Sequence, residues 1–354
     1  MTETWVEPLG LLQGRAALAA IAADLALPLA GGPAAFTMVR LIGPGAGEGA
    51  LPLADVPDGW QDRVLALTRP PSAFAGLELP HQGGRPLVMG ILNITPDSFS
   101  DGGHFADSAH AIDAGHMLLE AGADLLDIGG ESTRPGAQPV SPEEECRRIL
   151  PVIRELAKAA TISVDTRNAA TMLAALEAGA EIVNDVTALR HDPAAARVLA
   201  RGEAGIILMH MRGDDPRTMQ QDPRYDDVAL EVAQFLADRV AAVERMGIAR
   251  DRLAIDPGIG FGKRMPHNLA LMERLPLLAG IGCPIVFGAS RKRFIGTLSG
   301  VETPGDRVAG SVAAALHAAT QGASILRVHD VAETVQALAV WNAVAAGGVE
   351  EEEA

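Results

Sequence analysis

The chain has 354 residues, of which 48% are hydrophobic and 21% are charged, and its formal net charge is -16 at pH 7. This composition can supply a sizeable buried core, so it excludes a largely disordered protein. The acidic balance argues against binding to nucleic acid or to anionic lipid, because both partners need a basic surface.

Residues 1–85 differ in composition from the rest of the chain. They contain a glycine-rich patch at 43–50 and several prolines, which indicate a domain boundary near Gly83. Helical spacing over 11–27 and a β-strand pattern over 36–42 predict a small α/β extension. No motif in this segment assigns it a function.

The N-terminal segment also bears on cellular location. Its most apolar stretch, 16–30, is interrupted by Asp24 and is too short to cross a membrane, and an acidic leader precedes it. The two cysteines, Cys146 and Cys283, lie far apart without metal-type spacing, so they predict neither a disulfide framework nor a zinc site. We therefore expect a cytoplasmic protein without a membrane partner.

From residue 86 the pattern changes to short apolar runs, each followed by a helical stretch. The eight runs are LVMGILNI (87–94), DLLDIGG (124–130), TISVDT (161–166), EIVNDV (181–186), GIILMHM (205–211), LAIDPG (253–258), PIVFGAS (284–290) and SILRVHD (324–330). Continuous apolar strands are typical of a parallel sheet covered by helices, and eight repeats is the number of a closed (β/α)8 TIM barrel. On periodicity alone, an open doubly wound sheet remains an alternative. This pattern predicts a barrel over 86–345, followed by an acidic tail over 346–354.

Polar side chains distinguish between these two folds. One lies at or just beyond the end of every run: Asn93, Glu131, Asp165, Asn184, His210, Asp256, Ser290 and His329. A barrel brings the carboxyl ends of its strands around one mouth, where active sites of this fold lie, whereas an open sheet spreads them along a line. We therefore expect a barrel with its site at that mouth.

Three strand ends carry acceptors, namely Asp165, Asn184 and Asp256. Each alone could cap a helix or make a hydrogen bond in the core. Buried acids are costly without partners, so the three together favour a ligand with several N–H donors. The nearby GIGFGK (258–263) does not match a phosphate-binding P-loop, because Arg264 follows Lys263 where Ser or Thr is needed.

Two loops and two later strand ends add further chemistry. The loop NITPDSFSDGG (93–103) joins an amide, two carboxylates and an aromatic ring to paired glycines, and DIGGESTRPGA (127–137) adds a hydroxyl and a guanidinium. GASRKRFIG (288–296) and RVHDV (327–331) supply a basic side. A helix N-terminus after Ser290 also favours an anion there.

With these motifs at every strand except the fifth, where LMHM (208–211) matches more loosely, residues 86–345 resemble the dihydropteroate synthases. The resemblance implies condensation of 6-hydroxymethyl-7,8-dihydropterin pyrophosphate with p-aminobenzoate, which yields 7,8-dihydropteroate and pyrophosphate for folate biosynthesis. This is an alkyl-group transfer without a covalent enzyme intermediate. The resemblance also implies small-molecule substrates, Mg²⁺ as cofactor, a homodimer formed through barrel helices, and a sulfonamide target.

The resemblance further implies a role for each matching residue. The pterin would be bound by Asp165, Asn184, Asp256 and Lys292, with Phe261 and either Met209 or Met211 lining its slot. The pyrophosphate would be bound by Asn93, Thr133, Arg327 and His329, with Mg²⁺ at Asn93. The p-aminobenzoate would be bound by Phe99, Thr133, Arg134, Pro135 and Ser290. Catalysis would fall to Asp101, Asp256, Lys292 and Arg327.

Two other functions share part of this pattern. The methyltetrahydrofolate:corrinoid methyltransferases share the pterin-binding acids but lack the TPDSFSDGG and STRPG motifs found here. A pterin sensor without catalysis would not require Arg327 and His329 on the pyrophosphate side. Complementation of a synthase deletion would separate all three functions.

Overall fold

The computed structural model describes residues 4–71, 73–79, 84–94, 103–131, 140–213, 215 and 218–346, with the backbone alone for 103–107. Within these residues the chain forms a small antiparallel sheet near its N-terminus and an eight-stranded parallel sheet after it. No helix in the described part of the chain combines the length and the apolar character needed to cross a membrane.

The N-terminal sheet has four strands and two accompanying helices. They are β1 (Trp5–Leu12), β2 (Leu27–Pro28), β3 (Ala35–Ile42), β4 (Ala50–Pro52), α1 (Gly14–Ala22) and α2 (Gln61–Ala66). The central strand is β3, which pairs antiparallel with β1 along one edge and with β2 and β4 along the other. The strand predicted over 36–42 lies within β3.

The helix predicted over 11–27 is wrong at both ends. Leu11 and Leu12 belong to β1, because their backbone pairs with β3. The helix α1 ends at Ala22, and Asp24 then adopts a left-handed conformation with φ of 57°. Pairing with a strand distant in sequence therefore overrode the local helical spacing.

The N-terminal sheet packs against the barrel through the 3₁₀ helix Leu275–Ile281. Ala279 of that helix joins a buried cluster with Phe36 and Trp60. Glu7 on β1 is 2% exposed and accepts a hydrogen bond from Arg274 Nε at 2.5 Å. An apolar cluster and a buried ion pair thus hold the extension to the barrel.

The second sheet contains the eight predicted strands, with helices between them. The strands are β5 (Leu87–Asn93), β6 (Leu125–Gly129), β7 (Thr161–Asp165), β8 (Ile182–Asp185), β9 (Gly205–Met209), β10 (Leu253–Asp256), β11 (Val286–Phe287) and β12 (Ile325–Val328). The helices are α3 (Gly103–Glu120), α4 (Pro142–Leu156), α5 (Ala169–Glu177), α6 (Ala195–Leu199), α7 (Val228–Arg245), α8 (Met265–Glu273), α9 (Arg293–Ser299), α10 (Val308–Thr320) and α11 (Val331–Ala345).

The order of the strands closes this sheet. It runs β10-β9-β8-β7-β6-β5-β12-β11 with parallel pairing throughout, and a parallel bridge between Ile255 and Ile285 joins the two ends. The (β/α)8 TIM barrel is confirmed, and the alternative of an open doubly wound sheet is wrong. All five residues of β6 and of β9 are buried, as expected when helices cover one face and the barrel interior the other.

Local sequence sets where the barrel helices begin. Ser141 precedes α4, and its side chain accepts a hydrogen bond from the Glu144 backbone N–H at 3.3 Å. Asp227 precedes α7 and accepts from the backbone N–H groups of Ala229 at 3.0 Å and Leu230 at 3.1 Å. Such caps satisfy N–H groups that have no partner within the helix, which fixes its first turn.

Candidate active site

The interior of the barrel consists of layers, because side chains two residues apart on a strand face the same side. The layer at the amino ends of the strands is apolar. Its residues Met89, Leu125, Ile182, Ile207, Ala254, Val286 and Ile325 form one buried cluster with Phe74 and Leu79, which precede the barrel. Two residues further along the strands stand Ile91, Asp127, Ser163, Asn184, Met209, Asp256, Gly288 and Arg327. A second step of two reaches Asn93, Gly129, Asp165, Val186, Met211, Gly258, Ser290 and His329. The polar residues therefore lie in the upper interior, toward the predicted mouth.

Asp127 is the centre of a hydrogen-bond network that joins these two layers, called the polar layer below. It is fully buried, and it accepts hydrogen bonds from Ser163 Oγ at 2.6 Å, Asn184 Nδ2 at 3.1 Å and Arg327 Nε at 2.5 Å. Arg327 Nη2 also donates to Asp165 Oδ2 at 2.9 Å. The site residues Asn184 and Arg327 thus share the Asp127 carboxylate, and Asp165 joins them through Arg327.

Asp127 was not among the predicted site residues, although the sequence around it contains a usable signal. It is an acid two residues after Leu125, within the segment LLDIG (125–129) that is otherwise apolar, so alternation places it on the same face as Leu125 and Gly129. An acid at such a position needs several donors. An acid inside a buried apolar strand is therefore the signal by which the sequence marks Asp127 as a candidate.

Burial and ion pairing act in opposite directions on the pKa values of Asp165 and Arg327. Burial raises the pKa of Asp165 to about 7, although the neighbouring Arg327 charge acts against this rise. Burial also disfavours the Arg327 cation, but the charges of Asp127 and Asp165 outweigh that effect and raise the pKa of Arg327. Arg327 therefore stays charged, while Asp165 can change its protonation near neutral pH.

The end of β10 and the turn after it form a second polar group. Asp256 is 6% exposed and accepts a hydrogen bond from the Gly258 N–H at 2.6 Å, and burial raises the pKa of this carboxyl. Lys292 donates to the Ile259 carbonyl, and its Nζ lies 4.7 Å from the centroid of the Phe261 ring. Burial lowers the pKa of Lys292 to about 8, with Asp256 opposing the change. A carboxyl and an amine with shifted pKa values thus lie at this turn, and the amine lies over the Phe261 ring.

An apolar patch borders these polar groups. Val186, Met209, Met211 and Met219 form a buried cluster, against which Phe261 packs. Both methionines that were alternatives for the slot, Met209 and Met211, lie in this patch, at 4% and 2% exposure. Flexible thioether side chains and an aromatic ring can line a flat cavity.

The ends of β11 and β12 are joined by two side-chain contacts. Ser290 Oγ lies 3.0 Å from His329 Nδ1 and accepts from the His329 backbone N–H at 3.1 Å. The next residues, Arg291 and Asp330, form an ion pair at 2.5 Å. The structure therefore brings Ser290 and His329 together, as their predicted places at the mouth required.

Asn93 ends β5 beside the hydrogen-bonded layer. The side chains of Asn93 and Asp165 both lie beside Gly129. A Cβ built on that glycine would be 3.5 Å from Asn93 Oδ1 and 3.4 Å from Asp165 Cβ. Within the part of the chain that the structure describes, no three His, Cys, Asp or Glu side chains group as metal ligands. Asn93 Oδ1 is an amide oxygen of the kind that hard cations accept as a ligand.

Two other polar strand ends serve contacts within the protein. Glu131 pairs with Arg167 at 3.1 Å, and each side chain is about 10% exposed. His210 lies 2.7 Å from the buried Lys263 Nζ. The predicted residues Phe99, Asp101, Thr133, Arg134 and Pro135 lie outside the described residues.

The arrangement combines three chemical features in one barrel mouth. Carboxylates and an amide offer acceptors to N–H groups, an apolar patch offers a flat surface, and Lys292 and His329 offer positive charge or donors to an anion. The mouth thus fits a flat, donor-rich heterocycle that carries an anionic group.

Comparison with known proteins identifies families that bind such a ligand. The family model described as pterin binding enzyme matches residues 89–329. A dihydropteroate synthase of Neisseria meningitidis serogroup B is 51% identical over 267 residues, which cover 73% of this chain and 93% of that protein.

Solved structures of dihydropteroate synthases resemble the fold of this chain over about three quarters of its length. The dihydropteroate synthase of Xanthomonas albilineans with 4-aminobenzoic acid is 54% identical, with a TM-score of 0.70, covering 73% of this chain and 93% of that one. The same protein in complex with 7,8-dihydropteroate is 51% identical, with a TM-score of 0.67 and coverages of 73% and 94%. The Yersinia pestis enzyme in a sulfonamide drug complex is 45% identical, with a TM-score of 0.69 and coverages of 73% and 94%.

Proposed function

The chain belongs to the dihydropteroate synthases within the pterin-binding enzyme family, and we propose that its barrel mouth performs their reaction through the residues described above. The activity is that of an alkyl-group transferase. It condenses 6-hydroxymethyl-7,8-dihydropterin pyrophosphate with p-aminobenzoate to give 7,8-dihydropteroate and pyrophosphate. The observation that carries the assignment of residues is the polar layer of Asp127, Asp165, Asn184 and Asp256 beside the apolar patch.

The pterin is proposed to lie between the acids and the apolar patch. Its amine and ring N–H groups would donate to Asp256, Asp165 and Asn184, and Lys292 would donate to its ring acceptors. Phe261 would form one wall, together with the methionines of the slot. Support comes from the burial of Asp256 and from the position of Lys292 above Phe261.

The pyrophosphate is proposed to lie at the ends of β5, β11 and β12. His329, Thr133 and Asn93 would bind its oxygens, and Arg327, which already donates from Nε and Nη2, would offer its remaining Nη1. Mg²⁺ would be held by Asn93 and by pyrophosphate oxygens, where it would neutralise charge on the leaving group.

The chemistry is proposed to be dissociative. The bond between the pterin methylene and the pyrophosphate oxygen breaks, and its electron pair leaves with pyrophosphate. The amine nitrogen of p-aminobenzoate then forms the new bond to the methylene and loses a proton. Asp256 and Asp101 would stabilise the positive charge on the pterin, Arg327 would stabilise the departing anion, and Lys292 would hold the pterin ring in place. No enzyme nucleophile takes part.

The p-aminobenzoate is proposed to bind against Ser290, Phe99, Thr133, Arg134 and Pro135. The position of Ser290 beside His329 supports this arrangement, because it places the second substrate next to the anion side. The same pocket would accept a sulfonamide.

Further proposals concern the chain as a whole. We assign residues 1–85 to an extension, 86–345 to the barrel and 346–354 to a tail, supported by the family match beginning at residue 89. A homodimer is supported by the exposed apolar side chains Leu298, Val340 and Val344 on α9 and α11. A cytoplasmic location is supported by the free thiols of both cysteines.

The experiment that tests the function is an assay of dihydropteroate formation with purified protein, repeated with Asp256→Ala. We expect the variant to fold normally and to bind the pterin about 100-fold more weakly in calorimetry, because a charged acceptor is lost. Asp238→Ala, at an exposed position of α7, is the matched control and should bind normally. Absence of activity in the unmodified protein would reject the function, and normal pterin affinity in Asp256→Ala would reject the placement.

A further inference from the structure

Lys263 is a buried cation to which the reaction above gives no role. Its side chain is 4% exposed. Its Nζ lies 2.7 Å from His210 Nδ1, 2.9 Å from the Gly258 carbonyl, 3.1 Å from the Phe261 carbonyl and 3.3 Å from the His210 carbonyl. Four potential acceptors thus surround one nitrogen.

The geometry of these contacts favours the charged form of Lys263. Three of the four neighbours are carbonyl oxygens, which only accept, and an ammonium has three protons to donate and no lone pair. His210 Nδ1 can accept when its ring proton is on Nε2. Burial and the nearby Lys292 charge lower the pKa of Lys263 well below its ordinary value, and the charge of Asp256 and the accepting carbonyl oxygens oppose this change. The carbonyl shell replaces the water that the ammonium loses.

The contacts of Lys263 join the end of β9 to the turn 258–263. The approach is close, since a Cβ on Gly258, whose φ is 64°, would lie 2.0 Å from the His210 carbonyl oxygen. That turn carries the Gly258 N–H bonded to Asp256 and the Ile259 carbonyl that accepts from Lys292. It also carries Phe261. The position of three proposed pterin contacts therefore depends on one turn.

The lysine content of the chain is a separate observation. Of the 29 Lys and Arg residues, only Lys158, Lys263 and Lys292 are lysines. Lys263 thus ends the turn 258–263, and Lys292 donates to the Ile259 carbonyl of the same turn. A planar guanidinium spreads its donors over a fork and cannot direct three protons from one atom into a compact carbonyl shell. An ammonium is therefore the cation that suits this position.

We propose that Lys263 is a positioning residue of the pterin subsite: its ammonium holds the turn 258–263 against the end of β9, so that Asp256, Phe261 and Lys292 face one ligand. This inference rests on the proposed function. It predicts an effect on the pterin but not on p-aminobenzoate, whose proposed contacts lie on other loops.

The kinetic test compares Lys263→Met with Leu236→Ala, a core variant on α7 whose side chain is fully buried. We expect Lys263→Met to raise KM for the pterin pyrophosphate about tenfold or more, because the turn shifts, and to change KM for p-aminobenzoate less than about twofold. Leu236→Ala should lower stability without this asymmetry. Equal changes in both KM values, or a pterin KM like that of Leu236→Ala, would overturn the inference.

A second measurement does not depend on the folding of a variant. With ¹³C-labelled lysine side chains, the protein has three Cε signals, which can be followed by NMR. On addition of 6-hydroxymethyl-7,8-dihydropterin, the Lys263 signal should shift, the Lys158 signal should not, and p-aminobenzoate alone should leave both unchanged. A Lys263 signal indifferent to the pterin, in protein that forms dihydropteroate, would refute this role while leaving the proposed function intact.

Discussion

Replacing Asp127 tests whether one buried carboxylate organises the pterin side of the barrel. Asp127 is fully buried, and the side chain of its partner Arg327 is 19% exposed. In Asp127→Ala, the three donors of Ser163, Asn184 and Arg327 lose their acceptor, and a buried cation loses one of its two counter-ions. Removing one partner of a buried ion pair costs about 3–5 kcal/mol, so we expect the free energy of unfolding to fall by about that amount.

Asp127→Asn separates charge from shape. Its amide nitrogen could face Ser163, whose hydroxyl can also accept, and its oxygen could still accept from Asn184 and Arg327. Only the charge is then lost, so the expected cost is about 1.5–3 kcal/mol, the value of a hydrogen bond to a charged group. The amide variant should therefore retain more stability than the alanine variant.

Urea unfolding measures both variants against a matched exposed pair. Glu155 and Lys158 are 46% and 68% exposed and lie 2.6 Å apart, so Glu155→Gln should leave the urea midpoint nearly unchanged. Combining Asp127→Asn with Arg327→Met should cost less than the sum of the single changes, because the pair is removed together. If Asp127→Ala proves no more costly than Glu155→Gln, Asp127 does not hold this network.

Two further predictions concern pH and the N-terminal extension. Because the pKa of Lys292 is lowered to about 8, its ammonium disappears as pH rises through that value, so pterin affinity measured by calorimetry should fall above about pH 8. Lys292→Arg should bind more weakly at pH 7 but show no such fall, since a guanidinium stays charged, and a fall like that of the unmodified protein would contradict this cause. Glu7→Gln should lower the free energy of unfolding by about 1.5–3 kcal/mol, because a hydrogen bond between Arg274 and the buried Glu7 charge is lost while the Arg274–Asp227 ion pair remains. An unchanged urea midpoint would show that the ion pair does not hold the extension.

The sequence predicted the barrel well because its signal is local. Each strand is a short apolar run, and the eight observed strands lie within the predicted runs. The N-terminal helix was predicted poorly for the opposite reason. Its apolar spacing was helical, but Leu11 and Leu12 pair with β3, more than twenty residues away. A contact distant in sequence leaves no trace in local periodicity.

In the site, too, the sequence indicates individual residues but not the contacts between residues that are distant in the chain. Asp165, Asn184 and Asp256 could be selected from the sequence, because polar residues at the ends of buried strands point to the mouth of a barrel, and Lys292 could be selected from the family resemblance. Asp127 could also have been selected as a candidate, since it is an acid within a buried apolar strand.

The sequence by itself determined the class of fold and the end of the barrel at which the polar candidate residues stand. Only the tertiary structure decided which of these groups pair. Arg327 meets Asp127 across 200 residues of chain and Asp165 across 162 residues, and Lys263 meets His210 across 53. Closing the barrel brings these residues together, and burial there makes every donor require an acceptor, so the partners follow from three-dimensional packing rather than from any local pattern.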